Sequence, residues 1–218
     1  MTNLGELKMS QDLILRIAKA KKAVDAFEQR DGPVDIRVYP DPILTSTAEP
    51  IDFDKDSFED ILLIVKKMAR ALQATTWGSK LGIAAPQIGI SKRVMIVNGA
   101  VMVNPKWKPV KTQRVNVTES CYSLPHRRFL VERPKYGWAK WYSIDGAVRQ
   151  YKLKGMDAIV FMHEISHLDG LCAIDLGKEL IEDGRTQSGD IITHDEDNYE
   201  DTVQETSGEG ESLETKAG

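Results

Sequence analysis

The chain has 218 residues, of which 41% are hydrophobic and 28% charged, with a formal net charge of −4. That length supports one domain with a substantial core and leaves room for extensions. Two cysteines, Cys121 and Cys172, exclude a disulfide framework and fit a reducing compartment. The longest early apolar cluster, Leu13-Ile14-Leu15, is too short for a signal-peptide core or a membrane span. A soluble, cytoplasmic protein without membrane attachment is expected. Charge is unevenly spread: from Glu182 to Gly218, 12 acidic residues stand against Arg185 and Lys216, a net −10, which leaves +6 on residues 1–181.

In chain order, residues 4–29 set Leu13, Ile17, Ala20, Val24 and Phe27 at helical spacing. This predicts an amphipathic helix ended by Asp31-Gly32-Pro33, within an N-terminal extension over 1–34. A second helix is expected after Asp56 or Ser57 as cap, with Phe58, Ile61, Leu62, Val65, Met68, Ala69 and Leu72 on one apolar stripe. Between 93 and 154 the pattern changes to short β-branched and aromatic runs at 94–97, 101–103, 114–118, 129–131, 138–144 and 148–153. Asp145-Gly146 between the last two is a hairpin signal. From Gly155 through Met162 the sequence is apolar on nearly all sides, as in a helix buried among strands. The expected architecture is α+β, with antiparallel strands packed around a central helix. One domain spans 35–181. Residues 182–218 are rich in Asp, Glu, Ser, Thr and Gly and lack periodic apolar residues, so a disordered tail is expected there. No repeat, phosphate-binding glycine loop or nucleic-acid motif is present in the sequence, and no specific DNA binding is expected.

The buried helix continues into His163-Glu164-Ile165-Ser166-His167, an HExxH pattern. Side chains four apart on a helix lie one above the other, so His163 and His167 can offer imidazole nitrogens to one metal ion. Glu164 on the adjoining stripe can reach a water at that ion and take its proton. A satisfied buried histidine pair is the plainer alternative. The other histidines, His126 and His194, are isolated and read as ordinary polar positions.

A catalytic metal usually takes three protein ligands and leaves one position for water. The extended zinc-protease pattern HExxHxxG continues to Gly170, but Ala173 stands where its third histidine belongs. Glu179 and Glu182 remain downstream carboxylate candidates, and upstream Cys121, in Glu119-Ser120-Cys121-Tyr122-Ser123, is the alternative.

With that segment the chain resembles the peptide deformylases, whose ordered motifs GxGxAAxQ, EGCxS and HExxH are represented by residues 80–87, 119–123 and 163–167. The resemblance extends from Tyr39-Pro40-Asp41-Pro42 to about residue 180 and includes Ile88-Gly89. It implies Cys121, His163 and His167 as metal ligands and Glu164 as general base and later proton donor. Gln87 and the backbone N–H of Tyr122 become the donors to the oxyanion. It further implies that Leu81, Gly82 and Ser120 run along the substrate backbone. Met156, Ile159, Val160 and Arg128 stand near its first residue, although the same three apolar residues also fit a plain core. The implied activity is metal-dependent hydrolysis of the N-formyl group from N-formylmethionyl nascent polypeptides. The implied metal is one divalent ion, Fe2+ in the cell, with Zn2+ or Ni2+ as substitutes in a purified sample. A transient ribosome contact is implied as well.

Three positions depart from the family pattern: Lys80 and Ser120 replace glycines, and Ser166 replaces an aspartate matched by an arginine. Arg133 occupies that arginine's place and must find Glu119, another acceptor or water. Two other function classes stay open. A zinc endopeptidase would not depend on Cys121, and a non-catalytic formyl-peptide or ribosome-binding module would not release formate.

Overall fold

The computed structural model describes residues 34–74, 82–110 and 113–181. The expected N-terminal helix and acidic tail lie outside the described residues. The second helix, α1, spans Phe58–Ala74 and is capped as expected. Ser57 Oγ accepts from Asp60 N at 3.1 Å while Ser57 N donates to Asp60 Oδ2 at the same distance, a reciprocal cap. Ile61, Met68, Ala71 and Leu72 form its buried stripe, packed with Ile83, Val94, Ile96 and Val103 of the neighbouring strands.

Eight strands follow: β1 (Gly82–Ala84), β2 (Val94–Val97), β3 (Ala100–Pro109), β4 (Arg114–Cys121), β5 (Leu124–Pro134), β6 (Tyr136–Tyr142), β7 (Val148–Lys154) and β8 (Gly177–Glu179). They form a five-stranded sheet, β1-β2-β3-β6-β7, and a three-stranded sheet, β4-β5-β8, with every pair antiparallel. The Asp145-Gly146 turn joins β6 to β7, with Gly146 at φ 83° and its N–H bonded to Ser143 O at 2.8 Å. Strand β3 runs past its expected end at Val103. Asn104 (φ 49°) and Pro105 break the ladder register there, and the strand resumes pairing at Lys106. The Asn104 amide stands in for the lost ladder bonds, exchanging two 2.8 Å bonds with the backbone of Ile51.

The HExxH segment lies on α2 (Gly155–Leu168), which packs against both sheets. Val160, Phe161, Ile165 and Leu168 join Met95, Val97, Met102, Ala139 and Trp141 of the five-stranded sheet. Ala158, Ile159 and Met162 meet Val115 and Val117 of the other sheet, together with Trp107 and Leu153. Just beyond the Asp169 cap of the helix stands Gly170, whose φ of 76° favours glycine and whose Cα approaches Ser46 so closely that a Cβ would lie 2.8 Å from backbone. A short helix, α3 (Ala173–Leu176), leads to β8. The architecture is thus α+β with antiparallel sheets. No helix among the described residues is long and apolar enough to cross a membrane.

Candidate metal centre and cleft

Helix α2 presents His163 and His167 one turn apart, with ring centroids separated by 5.1 Å and planes nearly perpendicular. Strand β4, from the other sheet, ends on Cys121. Its sulfur lies 3.2 Å from His167 Nε2, and one donor atom from each of the three residues falls within 4.8 Å of the other two. The satisfied-pair alternative explains less, because a cysteine is brought to both rings.

Both histidines have partners behind them. His163 Nδ1 faces Glu119 Oε2 at 2.9 Å, and Glu119 in turn accepts from Arg133 Nε at 2.8 Å and Nη2 at 3.0 Å. Arg133 therefore finds Glu119, and its remaining Nη1 donates to Ser166 Oγ at 3.0 Å. Ser166 Oγ in turn donates to Met162 O at 2.6 Å. The departure from aspartate leaves no broken partner. On the other histidine, Nδ1 lies 3.7 Å from Cys172 Sγ.

Burial would raise the Glu119 carboxyl, but the bonds from His163 and Arg133 outweigh it and hold the group down at about 2. Burial would likewise raise Cys121, yet the adjacent His167 and His163 bring the thiol well below its ordinary range. Against their own burial both imidazoles are raised by the thiolate, His167 to about 10. The potential at this point favours positive charge. A thiolate with two imidazoles also suits a borderline-soft divalent ion.

Glu164 is buried, and its Oε2 is among the few buried side-chain oxygens without a partner among the described residues. Burial raises this carboxyl to about 7, with the nearby histidines acting against the rise. Gly82 supplies the room it needs. A Cβ there would lie 2.7 Å from both Cγ and Oε1 of Glu164. Gln87 is oriented at both ends of its amide: Oε1 accepts from Ala84 N at 2.9 Å, while Nε2 faces Ser123 Oγ at 3.3 Å and Cys121 Sγ at 3.5 Å.

These groups line one cleft of about 320 Å³. Gly82, Gln87, Ser120, Cys121, Tyr122, Met156, Ile159, Val160, His163 and Glu164 all contribute to its wall. Met156 stands exposed, whereas Ile159 and Val160 belong to the buried core and also line the cleft. Leu81 and Lys80 lie outside the described residues. Arg128 is exposed on β5 opposite Ser120 and is not part of the wall. His126, expected as an ordinary polar position, is exposed on β5. At φ 62° it breaks the strand geometry of β5 and lines the cleft. Ser123, the last residue of the second motif, is buried behind Gln87. Glu179 is not in the cluster: it holds Arg127 through two bonds of 2.6 and 2.7 Å. Glu182 lies outside the described residues.

A family model for polypeptide deformylase matches residues 33–181. The peptide deformylase of Desulforudis audaxviator is 34% identical over 143 residues, 63% of this chain and 88% of that protein. Among solved structures, peptide deformylase from Thermotoga maritima is similar with a TM-score of 0.61 and 30% identity, covering 67% of this chain and 98% of that one. The Met-Ala-Ser-bound enzyme from Acinetobacter baumannii has a TM-score of 0.61 and 26% identity over 66% and 98% of the respective chains. This chain therefore belongs to the polypeptide deformylase family and is a metal-dependent hydrolase that removes the N-formyl group from N-formylmethionyl polypeptides, releasing formate.

Proposed function

We propose that Cys121, His163 and His167 hold one divalent ion, Fe2+ in the cell, and that the helix carrying both histidines is the catalytic centre of the enzyme. The single observation that carries the assignment is the convergence of a thiol and two imidazoles beside an unpartnered, buried Glu164 oxygen at one cleft wall. Such an ion supplies Lewis acidity, lowering the pKa of water towards about 7. Glu164 accepts the proton of the attacking water and returns it to the amine nitrogen as the C–N bond breaks, leaving formate and a free N-terminus. Gln87 Nε2 and the Tyr122 N–H donate to the oxygen that becomes negative when the formyl carbon turns tetrahedral, a role worth roughly 3 kcal/mol per donor.

Gly82 and Ser120, with Leu81, run along the peptide backbone, while Met156, Ile159 and Val160 receive the methionine side chain. An unbranched thioether suits a wall with a flexible Met156 at its mouth. The Acinetobacter baumannii relative was solved with Met-Ala-Ser bound, which supports a peptide beginning with methionine here. The catalytic domain is 35–181, flanked by an N-terminal extension and an acidic tail. The enzyme works in the cytoplasm on nascent chains, with a transient ribosome contact.

The endopeptidase alternative needs a downstream carboxylate, and Glu179 is engaged by Arg127 instead. Formate release from formyl-Met-Ala-Ser, with metal analysis on the same sample, tests the whole reading. Cys121→Ser should lower metal content and turnover together, since oxygen is the weaker ligand. Full occupancy with unchanged kinetics in that variant would remove Cys121 from the ligand set.

A further inference from the structure

The outward face of the five-stranded sheet has a composition that catalysis does not use. Residues directly opposed across antiparallel strands share a face. The register of β3, β6 and β7 therefore puts Lys106, Lys140 and Gln150 in one row, and Lys108, Trp138 and Lys152 in the next. Tyr136 follows on the same side, with Lys152 Nζ 5.0 Å from the centre of its ring. The alternate residues Trp107, Ala139 and Tyr151 point inward to the core. All four lysines are exposed, and Trp138 and Tyr136 are half-buried.

No aspartate or glutamate occurs anywhere in these three strands. None of Lys106, Lys108, Lys140 and Lys152 has a carboxylate partner among the described residues. Lys106 is set directly against Lys140, a like-charge pairing that a sheet selected for stability alone would avoid. Because the whole chain is net −4, attraction for a polyanion cannot come from overall charge and must come from a local face such as this one. Lysines around a tryptophan and a tyrosine on one sheet face match the requirements of a single-stranded nucleic acid, phosphates between the ammonium groups and bases on the rings. Strand β7 also leads directly into Gly155 and Met156, the mouth of the cleft.

We propose that this face binds single-stranded or looped RNA, holding the enzyme by its sheet while the cleft stays open to peptide. The proposal is independent of the residue roles assigned above, and formate release from a short formyl peptide should not need the face. The test is fluorescence anisotropy of the full chain with a labelled single-stranded RNA of about 15 nucleotides at about 50 and 200 mM salt. The triple change Lys108→Gln, Lys140→Gln and Lys152→Gln should weaken binding at least about ten-fold and reduce the salt slope by about two. Trp138→Leu should weaken binding at least about five-fold while leaving the salt slope in place, because stacking carries no counterion release. Both variants should release formate at the parental rate, which reports that they fold. Absence of binding by the parent at low salt, or unchanged affinity in either folded variant, overturns the proposal. So does binding of phosphatidylglycerol vesicles through these lysines without binding of RNA.

Discussion

The two sheets pack against the same helix but contribute opposite chemistry to it. The five-stranded sheet offers α2 an apolar wall of Met95, Val97, Met102, Ala139 and Trp141. The three-stranded sheet brings buried charge, with Glu119 and Cys121 on β4 and Arg133 on β5. Burying those groups is costly unless each is partnered, and the network from Ser166 through Arg133 and Glu119 to His163 supplies the partners. One sheet thus secures the helix, and the other sets the chemistry of its ligands. Damage on the first side should appear as lost stability alone, and damage on the second as lost metal or turnover as well.

The largest expected effect comes from the cleft side. Glu164→Ala should retain its metal while formate release falls by about two to four orders of magnitude, the scale of general-base catalysis. Turnover close to the parent's would break the division at its centre. Next comes Arg133→Leu, which strands the Glu119 carboxylate. Denaturant unfolding should show a loss of about 3–5 kcal/mol, and metal affinity should fall about 10 to 100-fold. An unchanged metal affinity would mean that the network stabilises β4 and β5 without orienting His163.

Met95→Ala probes the opposite sheet. It opens a cavity against Phe161 and Trp141 in the same cluster and should cost about 2–5 kcal/mol, with turnover per folded molecule unchanged. A fall in turnover at full folding would show that the apolar wall also tunes the site.

Acid separates the sheets as well. The folded Glu119 titrates at about 2, below its ordinary 4.5, so its contribution is fully present above 4.5 and is lost as pH falls towards 2. That difference corresponds to about 3 kcal/mol. Unfolding free energies at successive pH values should show this loss in the parent and not in Glu119→Gln, and identical profiles would remove the buried carboxylate from the acid response. The smallest effect is expected from ending the chain before Glu182. No motif position is lost, so thermal stability and hydrolysis of a short formyl peptide should be nearly unchanged. A truncated protein that sheds its metal would put the acidic segment inside the folded enzyme.

Several features of both sheets were legible in the sequence because they are local. Strand β2 spans the expected 94–97, and α1 starts one residue after its Ser57 cap. The short strands β1 and β8 were missed, since three residues give no period and their pairing depends on distant partners. The apolar run of β3 stops at Val103, so nothing local marks the strand's continuation through Asn104-Pro105. The Ile51 backbone, 53 residues away, turns that pair into a bulge. That His126 borders the cleft was not legible for a similar reason. Its position on the wall follows from the backbone path of β5, which side-chain chemistry does not reveal.

By itself the sequence determined the chemical parts: helical spacing fixed His163, Glu164 and His167 on neighbouring stripes of one turn, and three ordered motifs indicated the reaction. Tertiary structure decided how those parts act on one another. The Glu119–His163 bond joins residues 44 apart, and Ser166 receives Arg133 across 33. Gly82 is required by the carboxylate it leaves room for, more than by any turn of its own. Periodicity and capping extend over a few residues, whereas desolvation, charge pairing and steric room depend on whatever the fold brings within a few ångströms.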